Sequence, residues 1–204
     1  MALVKWRVYV ESTVLSDWLL VETTPVKRRD KLSDDVLDSH DFVGMLLKKP
    51  PSNLHVYTSY WSLFESVGAV KRANIEVWMV LDGVLTAFYH EVKDLKKYQL
   101  RKSQLDKTRR LIHHLVEGMK EQKALELVSE ASDIDAVVSL IHERNLEAPD
   151  SFHVGIALSH GCDIFLTRDA HYDKVKTFFD REKIEVMTPT ELLNRLRFEW
   201  AINP

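Results

Sequence analysis

A single cysteine in a chain of 204 residues excludes any internal disulfide, so Cys162 points to a fold held by its core in a reducing compartment. Glycine and proline are also scarce, six of each, which argues against long disordered linkers. No apolar run is long enough to span a bilayer: VWMVLDGVLTAFYH (77–90) is too short and is interrupted by Asp82. The opening MALVKWRVYV becomes charged too quickly for a secretory signal. These absences predict a cytoplasmic protein with no membrane partner. Positive charge is not in excess either. A formal net charge of −3 gives no general attraction to nucleic acid, so any such binding must use local patches. There is no phosphate-cradling glycine loop, no GxSxG elbow and no Cys/His spacing suited to zinc; His113 and His114 are adjacent and face different sides.

What is present is a composition that builds a core, with 45% hydrophobic and 29% charged residues. Short apolar runs alternate with longer periodic ones, the pattern of an α/β fold with a parallel sheet and crossover helices. Strands are predicted at Trp6–Val10, His55–Thr58, Ala124–Val128, Asp163–Thr167 and Ile184–Met187. The fourth, with Ile164, Phe165 and Leu166 in succession, reads as buried on both faces. Helical patterns cover roughly 13–21, 33–48, 60–73, 76–90, 92–118, 133–144, 150–160, 171–181 and 189–198. Ser132 and Asp133 read as a helix start and Gly161 as a helix stop. The whole chain, 1–204, is expected to form one domain, with 76–118 as a helical elaboration.

The acids carry the chemistry. In RVYVESTVLS (7–16) a β-branched strand stops at Glu11, where ligand sites form in open parallel sheets. An exposed acid, or a cap shared with Ser12, would explain it equally. Glu65 lies in a helical pattern whose same-face neighbours, Trp61, Gly68 and Ala69, are apolar or small. A carboxylate there needs a cation or a positive partner, such as a buried Arg, or must stay protonated. Asp150 opens a helix after a proline, as an ordinary N-cap would. Asp169 lies just past the buried strand, whereas Asp163 is at its opposite end and should not join the others. Oxygen-only carboxylate clusters of this kind suit Mg²⁺ or Mn²⁺.

At these residues the chain resembles the PIN-domain family of metal-dependent ribonucleases, which includes VapC toxins. VYVESTVL resembles the opening strand, YTSYWSLFESV the "TS…E" helix, and APDSFHVGIALSHGCDIFLTRDAHYDKV the "DxxHxAxA…GxxxxTxD" segment; EVMTPTELLNRL resembles the closing strand and helix. The resemblance implies a three-layer PIN-like fold and RNA phosphodiester hydrolysis with Mg²⁺ or Mn²⁺. It places Glu11, Glu65, Asp150 and Asp169 at the catalytic metal site, with Ser12 and Ser59 in support. Glu11 departs from the family, which usually has Asp there. That departure keeps a second reading open, a weakened PIN scaffold that binds RNA or protein. The resemblance also implies a homodimer and, for a toxin, an antitoxin partner. RNA contacts are expected at Lys96, Lys97, Arg101 and Lys102 within KDLKKYQLRKSQLDKTRR (93–110) and at KRR (27–29), with Tyr98 as a stacking ring or, alternatively, part of an apolar stripe with Leu95, Leu105, Ile112 and Val116. A doubly wound phosphotransfer domain would also cluster acids, but it needs a strand-end Lys that is lacking here.

Overall fold

Alternation within the strands decides the layers. In the computed structural model, which describes residues 5–99, 101–122, 125–129 and 133–202, β1 (Trp6–Val10) sends Val8 and Val10 to one side and Tyr9 to the other. β2 (Leu54–Ser59), β3 (Leu125–Val128), β4 (Ile164–Leu166) and β5 (Glu185–Met187) complete a parallel sheet in the order β3-β2-β1-β4-β5. Val8 stands beside Val56 and Ile164, so the same face repeats across the central strands.

On that face Val8, Val10, Val56, Ile164 and Leu166 pack beneath α1 (Ser12–Thr23), α2 (Asp34–Lys48), α5 (Lys102–Gln122) and α9 (Pro189–Ile202). The opposite face is aromatic. Tyr9, Tyr57 and Phe165 meet α6 (Ile134–Arg144), α7 (Ala148–Ser159), the 3₁₀ turn Ala170–Val175 and α8 (Lys176–Glu182). Helices therefore cover both faces of a five-stranded parallel sheet, the three-layer α/β architecture expected from the sequence. No helix among the described residues is long and apolar enough to cross a membrane.

All five strands lie within one residue of the expected bounds; Ala124 is outside the described residues. Asp133 caps α6 by accepting from the Ala136 N–H at 2.9 Å, and Gly161, at φ 57°, ends α7; Ser132 is outside the described residues.

The region after β2 differs from the periodicity. α3 runs unbroken from Tyr60 to Leu81, so there is no boundary between 73 and 76. It ends in a Schellman motif at Gly83, φ 74°: Val84 N–H donates to the Met79 carbonyl at 2.8 Å and Gly83 N–H to that of Val80 at 3.1 Å. The predicted 76–90 helix is therefore cut in two, leaving the short α4 (Tyr89–Val92) beyond the turn. The predicted 92–118 helix is interrupted as well: Lys96–Tyr98 is a 3₁₀ turn and Gln99 is extended before α5 begins. Ile75, Met79 and Tyr98 form a small satellite core with Trp78, Val84, Tyr89 and Val92 against the far half of α3. Tyr98 is fully buried in it and cannot offer a ring to a base.

Candidate functional site at the strand-order reversal

Strand order reverses between β1 and β4, and the crevice beyond the carboxyl ends of those two strands is where such sheets bind ligands. Glu11 follows β1 and Asp169 follows β4. Glu65 arrives on the second turn of α3, and Asp150 in the first turn of α7. All four line one cleft of about 470 Å³ together with Ser12, Thr13 and Ser16. Asp163 lies at the other sheet edge, where it accepts from the Arg7 backbone N–H.

Glu11 is buried and heavily bonded. Its Oε2 accepts from the Thr13 N–H at 2.9 Å, capping α1, and also from the hydroxyls of Thr13 and Thr167, the latter at 3.0 Å. Ser12 donates to Oε1. A carboxylate offers about four lone-pair directions, so the remaining capacity lies on Oε1. The capping alternative and the site position are thus both present in one residue.

Within the protein, the positive partner of Glu65 is a histidine rather than an arginine. The fully buried His153 donates from Nε2 to Glu65 Oε2 at 2.7 Å, and Trp61 Nε1–H donates to Oε1 at 2.8 Å. The other ring nitrogen of His153, Nδ1, is 2.8 Å from the Tyr9 hydroxyl, which donates its one proton to Ser59. Burial alone would raise the Glu65 pKa, but the hydrogen bond and charge of His153, with smaller help from Ser12 and Trp61, hold it below the usual carboxylate range.

The sequence does not reveal His153 as this partner. It is the histidine of DSFHVGIALS, three positions after Asp150, and its sequence signal was visible without its role. Glu11, Glu65 and His153 each offer a ligand atom within 4.8 Å of one another, so the close group found among the described residues is mixed oxygen and nitrogen rather than oxygen only. Asp150 and Asp169 line the same cleft outside that group.

Asp150 is not the N-cap: α7 begins at Ala148, Glu147 occupies the cap, and Asp150 sits in the first turn. Burial, followed by the charges of Asp169, Glu11 and Glu147, pushes its pKa up to about 6. Asp169 caps the 3₁₀ turn by accepting from the His171 N–H at 2.8 Å on Oδ1. Beneath the acids, the Tyr172 hydroxyl is buried without a partner; burial first, then the charges of Glu11, Asp150 and Asp169, disfavour its ionisation.

The raised pKa of Asp150 gives a signed expectation. Between the unfolded value near 4 and about 6, the folded chain binds the proton more tightly, so stability falls as pH rises through that window. With allowance for solvent screening at this half-buried group, Asp150→Asn should stabilise the metal-free protein by about 1 kcal/mol at pH 7 and by nothing below about pH 4. Urea unfolding at the two pH values measures this.

The supporting hydroxyls divide. Ser12 lines the cleft, whereas Ser59 is buried as the cap of α3, accepting from the Ser62 N–H at 3.0 Å. Arg168 stands between Thr167 and Asp169 but turns away to pair with Asp17, which also accepts from Ser39 at 2.8 Å. The cations expected to meet RNA do not line the cleft. Lys97 pairs with Asp82 at 3.2 Å, Arg101 lies at the approach to α5, Lys102 begins that helix, and Lys96 belongs to the 3₁₀ turn. Lys27, Arg28 and Arg29 lie in a separate 3₁₀ segment, Val26–Lys31. The basic side chains that do line the cleft are Arg72, His90 and Lys93. No protein-family model matches this sequence, and no curated protein matches it.

Proposed function

We propose that this protein is a PIN-like, metal-dependent ribonuclease that hydrolyses RNA phosphodiester bonds in the cleft between the ends of β1 and β4. The observation that carries this reading is the meeting of Glu11, Glu65, Asp150 and Asp169, from four elements, at the reversal of strand order. The donor chemistry fits a hard divalent cation. Four acids line the cleft, the buried His153 imidazole pairs closely with Glu65, and Asp150 is pushed towards protonation by burial first and then by the charges of Asp169, Glu11 and Glu147. Asp169, Glu65, Asp150 and Oε1 of Glu11 would hold Mg²⁺ or Mn²⁺. When bound, such a cation supplies an activated water and neutralises charge on the scissile phosphate. The chain's own residues orient these ligands. His153 and Trp61 fix the two oxygens of Glu65, and Thr13 and Thr167 fix Oε2 of Glu11.

Mixed RNAs incubated with the protein should be cleaved in Mn²⁺ or Mg²⁺ and left intact in chelator. Intact RNA under both conditions would reject the reading. One observation favours a second reading, a scaffold that binds RNA without cutting it: Glu11 already accepts four hydrogen bonds from its own chain. Retention of RNA without turnover would select it.

A homodimer is proposed as well. Phe64 is 70% exposed, and it joins Leu63, Val67, Leu105, Ile112 and Val116 in an apolar groove of about 440 Å³ between α3 and α5. Light scattering should give twice the 23.7 kDa chain mass, and a monomer at micromolar concentration would count against it.

A further inference from the structure

The wall of the cleft opposite its acidic end has no use in binding a cation, because it is positively charged. Glu65, Gly68, Ala69 and Arg72 follow one another at i, i+3, i+4 and i+7 along α3, and all four line the cleft. At 1.5 Å of rise per residue, Arg72 lies roughly 10 Å along the helix from Glu65. Between them the surface is bare: a Cβ added at Gly68 would meet nothing within 4 Å. The Gly83 turn then folds α4 back so that Tyr89, His90 and Lys93 face the same space. The Arg72 guanidinium sits 5.1 Å from the centre of the Tyr89 ring, and the Tyr89 and His90 rings meet edge to face at 5.4 Å. Arg72 also approaches Glu76 at 3.6 Å on its own helix, a weak exposed pair that leaves its other donors available.

We infer that Arg72, Tyr89, His90 and Lys93 form a subsite for single-stranded RNA, next to the acidic end of the cleft. Arg72 and Lys93 take a backbone phosphate flanking the one held over the acids, and the Tyr89 and His90 rings take an unstacked base. The separation of charge suits a ligand with more than one phosphate: one end of the cleft attracts cations, the other anions, and the bare stretch at Gly68 and Ala69 joins them. The rings select against a duplex, whose bases are stacked on each other and offer no free face. Only the position of this subsite relative to the scissile phosphate rests on the ribonuclease reading; binding itself does not.

Fluorescence anisotropy with a short labelled single-stranded RNA tests it, in an Asp169→Asn background with Ca²⁺ present so that no cleavage intervenes. The Arg72→Ala/Lys93→Ala double variant should bind at least ~10-fold more weakly, with the slope of log affinity against log salt reduced by roughly 1 to 2. A Lys48→Ala/Lys49→Ala variant removes the same formal charge elsewhere and should bind as the parent does. The matching RNA duplex should bind ~10-fold more weakly than the single strand. Both pairs are on the surface, and circular dichroism checks that each variant is folded. Equal binding by the Arg72/Lys93 variant and the parent would overturn the subsite, as would equal binding of duplex and single strand or no binding of RNA at all. Loss of binding on Arg72→Ala/Lys93→Ala in a protein that never cuts RNA would keep the subsite and reject the nuclease. Cleavage with binding indifferent to these two residues would do the reverse.

Discussion

Asp169→Asn should lower metal-dependent RNA cleavage by a factor on the order of 10³ while leaving the melting temperature within a few degrees of the parent. The two effects separate because the capping role of Asp169 and its proposed role as a cation ligand draw on different properties of the side chain. Its Oδ1 caps the following 3₁₀ turn through the His171 N–H, and asparagine caps as well as aspartate does. The charge that a hard cation needs is what the amide removes. Loss of this acid should also ease Asp150, whose pKa is raised first by burial and next by Asp169. Glu11→Asp probes the same site from the other strand end. The shorter acid can still cap α1, but it draws back from the Thr167 hydroxyl, which now donates to Oε2 at 3.0 Å. Because Thr13 and Thr167 both close on the longer side chain, the backbone is fitted to Glu, and Glu11→Asp should lower activity about tenfold. A gain would mean that Glu11 is a stretched ligand. Initial rates in Mn²⁺ for the parent and the two variants, with melting curves beside them, measure both expectations.

His153→Ala should destabilise the fold by about 3 kcal/mol. The ring is fully buried, so its removal leaves a cavity against the Tyr9 ring, 5.9 Å away between centroids. It also strips a partner from the Tyr9 hydroxyl and from Glu65. Glu65 can recover part of its solvation because its side chain is 30% exposed, which keeps the loss from being larger. The Glu65 pKa is depressed in the folded protein, so its contribution to stability is present above the ordinary carboxylate range and is lost as pH falls through the folded value. The gap between parent and His153→Ala should therefore narrow in acid. Equilibrium urea unfolding at neutral and acid pH decides this, and a difference below about 1 kcal/mol at pH 7 would remove His153 as the anchor of Glu65.

The strand signals and the placement of the acids needed only local chemistry. Period-two alternation at Val8, Tyr9 and Val10, and the unbroken apolar Ile164–Leu166, carry the sheet and both its layers, because a strand's faces are set by neighbours two positions away. Glu11 and Asp169 are legible for the same reason: an acid just after a buried strand must emerge at the sheet edge. Local periodicity was misleading after residue 76, where apolar spacing continues through Asp82 and Gly83 although a left-handed turn closes the helix there. Tertiary structure alone decided what each acid meets. The order of the strands puts β4 beside β1 across 156 positions, so that Thr167 reaches Glu11, and α7 carries His153 to Glu65 across 88. It also turned Arg168 to Asp17 and brought Arg72 and Lys93 to the cleft in place of the densest basic run. A side chain's partner depends on which elements pack together, and that choice is made by the burial of whole faces rather than by any one residue's neighbours in the chain.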